Sequence, residues 1–398
     1  MRIIDGITEK LGLNSMLTVK RQSESQRRKR KMIQNVFFGT VVVVLVSFLI
    51  WAYFEKKTYH NYKVLTSSDQ EDVVSTKYDV LNGKIFRYNT EGVTLMSEKL
   101  EKIWYEAYSM NNPVADIQGT RAVIADKDGT ALEIFDKNGR TGSVATKYSI
   151  VKAKISASGV VAVILESGED AWINLLSPNG DLIAEMQTKI DDPGYPMDVS
   201  VSNDGTIMMV AYQYIDGSNT TSYVAFYNFG SAGRDVEDHI VSGYTYEGTI
   251  VPQVEYMHGN WSASLKDNGV SLYRGKTVPE ETVAVEKEGE IVSVFCDEKQ
   301  IGLVYKNDDK NKAYILEVYD SSGKKEYDED FNIPYTKIKF NDGNVLMHNS
   351  SQIRIINKNG NVKYQGEVDG SIRNFIKIGW NKYLLVLDSG IEVIKLKG

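Results

Sequence analysis

Residues 126–139, DKDGTALEIFDKNG, decide how the rest of the chain is read. Two polar turns, Asp126–Gly129 and Asp136–Gly139, flank the apolar run Ala131–Phe135. A calcium loop starting at Asp126 needs glycine at its sixth position and glutamate at its twelfth. Those positions hold Ala131 and Lys137, and starts at Asp128 or Asp136 fail likewise. Asp–Gly and Asn–Gly are instead the pairs that a tight hairpin needs, because its central residues take positive φ. The stretch reads as a strand between two turns.

The same unit recurs through the chain. Short runs rich in Val, Ile, Tyr and Phe follow one another past Tyr62, among them RAVIAD, VVAVILE, SYVAFYNF, AYILEVYD and YLLVLD. Their length and composition are those of strands, each closed by Gly, Asn or Asp. First-to-second-strand turns align at SASG (156), SNDG (202) and NDG (341), and third-to-fourth-strand turns at DKNG (136), SPNG (177) and NKNG (357). The period is close to that of a four-stranded propeller blade. The fold class is therefore all-β, a β-propeller over 78–398. Eight blades are expected, at roughly 78–110, 113–148, 149–190, 196–246, 250–287, 290–332, 335–369 and 371–398. Seven is the alternative count, since the first unit has the weakest turns. The last unit has three strands, and its fourth is expected within Val64–Lys77, closing the ring without an open edge.

One segment departs from this pattern. Ile33 to Phe54 carries no charge until the span ends, and Val36–Phe54 is almost wholly apolar. As a helix those residues reach roughly 29 Å, about one hydrocarbon core. A transmembrane helix is expected over 32–54, with Val36, Val44 and Leu45 in its apolar body and Trp51 and Phe54 near its outer end. Arg27, Arg28, Lys29, Arg30 and Lys31 stop directly before it. The first 31 residues sum to +6, which leaves −13 for the remainder of a chain whose net charge is −7. Basic flanks stay cytoplasmic, so 1–31 is read as an inner tail, 55–77 as a stalk and 78–398 as extracytoplasmic. The basic run faces anionic lipid, and the acidic outer part makes nucleic acid an unsuitable partner.

Catalytic motifs are absent from the sequence. His60, His239, His258 and His348 are scattered, with no zinc-binding His pair, nucleophile elbow or dinucleotide fingerprint. The single cysteine, Cys296, sits in a strand-like run and reads as a packed thiol. No cofactor or metal is assigned.

VSVSNDGTIMMVAY (199–212), AKISASGVVAVIL (153–165) and IKFNDGNVLMH (338–348) resemble the first hairpin of blades in the TolB and WD-repeat superfamilies. Gly-His and Trp-Asp signatures are missing. Trp104, Trp172, Trp261 and Trp380 share no common blade position, unlike the tryptophans of quinone-cofactor propellers. The whole layout is similar to a family of single-pass, membrane-anchored propeller proteins of Gram-positive anaerobes. That resemblance brings no catalytic residues; the envelope location is expected because an extracytoplasmic domain with one cysteine, and so no internal disulfide, suits a bacterial envelope.

In a propeller, second-to-third-strand loops and blade-to-blade links share one face. Here that face carries most of the irregular length, and loops on a rigid scaffold are where binding residues concentrate. Asp191, Asp192, Tyr195, Tyr244, Tyr246, Asp308 and Asp309 are the binding residues expected there. The function expected is a protein-binding scaffold of the bacterial envelope, with an envelope protein on the loop-rich face and lipid at the helix and tail. A glycan or peptide sensor signalling to the tail is the alternative, with Ser23 and Ser25 as modification sites. A hydrolase or quinoprotein is the third reading. Oligomeric state is left open.

Overall fold

The turn at 126–129 closes a hairpin between strands Arg121–Asp126 and Ala131–Asp136, with Asp128 at φ 67°. Asp126 is buried, and its Oδ1 accepts hydrogen bonds from the backbone N–H groups of Asn111 (2.9 Å) and Asn112 (2.7 Å). The carboxylate thus pins the link arriving from the preceding blade. A Cβ on Gly129 would lie 2.4 Å from Asp126 Oδ2, so the glycine makes room for that contact.

A computed structural model describes residues 31–49, 52–53, 55–68, 75–189, 193–217, 219–307 and 312–398. The segment up to Lys57 and the segment Thr58–Gly398 are separate units. The first contains the helix Lys31–Leu49, whose 19 residues are long and apolar enough to cross a membrane, with none of that surface buried. Val36, Val44 and Leu45 are exposed along it, and Lys31 is its first residue. Arg27, Arg28, Lys29, Arg30, Trp51 and Phe54 lie outside the described residues.

The second unit is an eight-bladed β-propeller made of eight four-stranded antiparallel sheets. Blades 1 to 7 run in chain order over 77–107, 113–145, 149–188, 195–247, 253–286, 291–331 and 337–367. Blade 8 takes three strands from Ile372–Gly379, Lys382–Leu387 and Gly390–Lys397, and its outer strand from Asn61–Ser68. The closing strand pairs Asn61 with Lys397 and Ser68 with Ile391, antiparallel. It begins earlier than the Val64–Lys77 window, and Lys77 itself opens the inner strand of blade 1. Tyr62 decides that register: its ring meets Tyr364 edge-on at 6.3 Å. The parallel bridge from Tyr59 to Tyr364 secures the same corner.

Burial follows the blade pattern. Each pair of adjacent blades shares one apolar cluster, and the eighth cluster joins Tyr78 and Ile85 of blade 1 to Leu384 and Val393 of blade 8. Each sheet therefore buries both faces against its neighbours, which is why the second and third strands read as unbroken apolar runs rather than alternations.

Candidate binding face and central channel

Blade 4 raises the loop-rich face. Its second and third strands, Ile207–Asp216 and Asn219–Asn228, are ten residues each and stay paired from Ile207↔Asn228 to Asp216↔Asn219. Second strands elsewhere have five to seven residues. The extra three residues extend the hairpin by about 10 Å at strand rise. Tyr212 holds its base, fully buried, with its hydroxyl 2.7 Å from that of Tyr227. Near the tip, Ile215 is 77% exposed.

The hairpin is fastened to the link that follows blade 4. Buried Ser222 donates to Thr249 O (2.9 Å) and accepts from Val251 N (3.0 Å), while Gly248 N donates to Thr220 O (2.9 Å). The link in turn holds blade 5, through Asp267 N to Ile250 O at 3.0 Å. Beyond it, a cleft of about 220 Å³ opens between blades 5 and 6, lined by Pro252, Gln253, Lys266, Asp267, Ile291 and Val292. A register shift between Ile291 and Ser293 marks a bulge at Val292, and Val292 is exposed. Bulges re-aim side chains in this way. Ile215, Ile250 and Val292 thus stand exposed along a connected path from blade 4 to blade 6.

The expected binding residues distribute unevenly over this face. Tyr195 opens the inner strand of blade 4 and donates its hydroxyl to Glu166 Oε2 of blade 3 at 3.3 Å. Burial, then Glu166, raises its pKa. Tyr244 and Tyr246 are not link residues. Both belong to the outer strand Ile240–Glu247, half-buried on the side that meets blade 5. The Tyr244 hydroxyl donates to Pro279 O and accepts from Glu281 N, each at 3.1 Å. Tyr246 shares a short hydrogen bond with the Tyr273 hydroxyl, and burial pushes its pKa up to about 12. Lys266 lies over the Tyr246 ring at 5.1 Å and forms the floor of the cleft. The glycine-rich GYTYEG stretch reads as loop because Gly243 is needed for another purpose: a Cβ there would fall 2.1 Å from the Tyr223 hydroxyl. Asp191, Asp192, Asp308 and Asp309 lie outside the described residues.

The inner strands carry charge that the sequence reading passed over. Lys154 of blade 3 pairs with Asp116 of blade 2 (3.2 Å) and with Glu255 of blade 5 (3.1 Å). The second pair bypasses blade 4 and so crosses the channel. Lys152 pairs with the fully buried Asp198 at 2.8 Å. The carboxylates also staple blades together: Asp116 Oδ2 accepts Ile155 N (2.8 Å), and Asp198 Oδ2 accepts Val254 N (2.9 Å). Burial alone would depress the Lys154 ammonium, but Asp116, Glu255 and Asp198 together lift its pKa well above the ordinary value. Burial raises Glu255, against the pull of Lys154. Both keep about a fifth of their side chains accessible (19% and 22%) while lying deep in the molecule, as a channel lining does. Cys296 shares this environment, and burial, then Glu255, pushes the pKa of its thiol far up. The signal was present in the repeated Lys-x-Lys of VKAKIS and TKIKFN, each just before a first-hairpin turn.

Eight four-stranded blades closed around a charged channel define a β-propeller of the eight-bladed class. The chain belongs to the family of unknown function DUF5711, whose model matches residues 55–396. A comparison with curated protein sequences finds no match. Among solved structures it is similar to BamB from Moraxella catarrhalis, at 13% identity and a TM-score of 0.50, over 85% of this chain and 100% of that one. It is also similar to Sqt1 from Chaetomium thermophilum, at 11% identity and a TM-score of 0.54, again over 85% and 100%. At such identities the likeness is one of fold.

Proposed function

We propose that this protein is a membrane-tethered binding propeller of the bacterial envelope, which holds a protein partner on its loop-rich face. Binding rather than catalysis is the role in this reading. The observation that carries it is the exposed apolar path Ile215–Ile250–Val292, built on paired strands and clamped links beside a cleft between blades 5 and 6. Apolar side chains held rigidly at the tip of an extended hairpin cost little conformational entropy on docking. Trp380 provides the contrast: it is 69% exposed but sits on a tight first-to-second-strand turn of blade 8, on the opposite face.

The orientation in this reading follows the basic flank, tail inside and propeller outside. In a Cys296→Ala background, a cysteine at Ile215 should react with a membrane-impermeant maleimide in intact cells, and one at Ser23 should react only after lysis. The reverse pattern would place the propeller in the cytoplasm. Photo-crosslinkers at Ile215 and Val292 should then capture one dominant protein that a crosslinker at Trp380 misses. Equal capture from both faces, or none from either, would reject the docking face. An absence of protein adducts together with glycan or peptide binding would turn the reading to a sensor.

A further inference from the structure

The inner strands of this acidic protein are basic. Together they carry seven cations against four carboxylates, a net +3, in a chain whose net charge is −7. Three of those carboxylates, Asp116, Asp198 and Glu255, are taken by Lys152 and Lys154 on blades 2 to 5. On blade 8, Lys377 pairs with Asp342 (2.5 Å), while Arg373 lies 3.9 Å from Asp388 and donates to the Thr76 carbonyl at 3.5 Å, beside blade 1. What remains is an arc of blades 7, 8 and 1 holding Lys77, Lys337 and Lys339, with Asp79 as its one inner-strand carboxylate.

None of the three lysines is neutralised by contact. Lys77 donates to the Pro113 carbonyl at 2.9 Å and Lys337 to the Asn374 amide oxygen at 3.3 Å, both uncharged acceptors. Lys339 makes no hydrogen bond or ion pair among the described residues, although it is half-buried. Two residues on from Lys337 in the same strand, it leaves the same face of blade 7 as Lys337, whose ammonium reaches Asn374 of blade 8. Lys77 and Lys337 each open their strand and so stand at the loop-rich mouth, with Lys339 and Asp79 one step deeper. The neutral Asn374 between them is oriented by donating to Tyr78 O at 3.1 Å.

We propose that this arc is a binding site for an oxyanion, a carboxylate or phosphoryl group that enters the channel from the loop-rich mouth and is held by Lys77, Lys337 and Lys339. Lys77 and Lys337 are exposed at the mouth, but Lys339 is half-buried, and a partly desolvated ammonium gains more from an anion than a surface lysine does, because water competes less for both. The electrostatics agree: burial lowers the pKa of Lys77 and of Lys339, and Lys337 adds to the second effect. A bound anion relieves that cost.

The test is calorimetric titration of the full-length protein in detergent with inorganic pyrophosphate and, separately, with tricarballylate, which distinguish a phosphoryl from a carboxylate seat. Saturable binding of at least one is expected, weakened about tenfold or more by Lys339→Met and by Lys337→Met. Lys339→Arg, which keeps the charge, and Lys377→Met, which alters a lysine already paired, should leave it within about threefold. Removing an unpaired, half-buried ammonium should not unfold the protein, and ligand-free Lys339→Met should melt at or above the wild-type temperature. Binding of neither anion, or binding that Lys339→Met leaves unchanged, overturns the proposal; the latter outcome would mean adsorption to surface lysines.

Discussion

Glu317 shows at the residue scale how one carboxylate can be legible as a letter and illegible as a role. In the sequence it is the polar member of an otherwise apolar strand, AYILEVYD, and nothing nearby marks its partners. In the structure its side chain is 8% exposed and meets Lys287 at 2.5 Å, across the link from blade 5, and Lys325 at 3.3 Å. The Tyr319 hydroxyl donates to it as well. Burial would raise its pKa, but hydrogen bonds from Lys287 and the tyrosines win and hold it at about 2, against an ordinary 4.5. A depressed carboxylate contributes stability that is complete above its unfolded value and is lost as pH falls through its folded one. Glu317→Gln should therefore cost about 1–2 kcal/mol near neutral pH, after allowance for partial solvent screening. Melting curves from pH 7 to pH 2.5 check this: the gap between wild type and variant should shrink below 4.5 and nearly close towards 2. A gap of constant size would show that Glu317 acts by packing alone. Partners like Lys287, from the link after blade 5, and Lys325, from the neighbouring strand of blade 6, could not be foreseen, because such pairs depend on a register that residue types alone do not set.

Elements were easier to read than their faces. Asn/Asp–Gly turns specify hairpins through φ, and those at 126, 136, 202 and 341 all close between strands as the spacing implied. The outer strand Glu280–Glu286 alternates exposed and half-buried residues along its length. The ambiguity lay where a strand carries residues that also make loops. In GYTYEG the glycine belongs to the strand and clears space for Tyr223, so Tyr244 and Tyr246 pack inward instead of waiting for a partner. The candidate face carries the same ambiguity. YIDGSNTTS (214–222), which holds Ile215, reads as an irregular loop, whereas the ten-pair ladder of blade 4 makes it a paired hairpin tip with Ile215 exposed. The bulge at Val292 is invisible in a run such as IVSVFC, since a bulge adds a residue without changing composition.

Closure is a property of the whole molecule, and it is where sequence and structure differ most usefully. A ring of blades needs its first and last sheets joined, and here the joint is a single strand from the segment that follows the helix. The expected window, Val64–Lys77, holds the Val64–Ser68 part of the pairing strand but not its start at Asn61, where Tyr59 and Tyr62 meet blade 7 at Tyr364. The closing strand follows the apolar helix closely in sequence, so force on the connecting segment would load a strand held by hydrogen bonds along Gly390–Lys397. Removing that strand would uncover Ile394 and Leu396, both now buried, and leave an unpaired edge. A soluble chain starting at Thr58 should keep the full ring. One starting at Thr76 should melt about 5–10 °C lower, from the lost apolar burial and ladder bonds, and should aggregate on concentration. The comparison is made by calorimetry and light scattering on the two chains. Equal melting temperatures would mean that the clusters between blades hold the ring shut without the strand, and that the stalk is a passive tether.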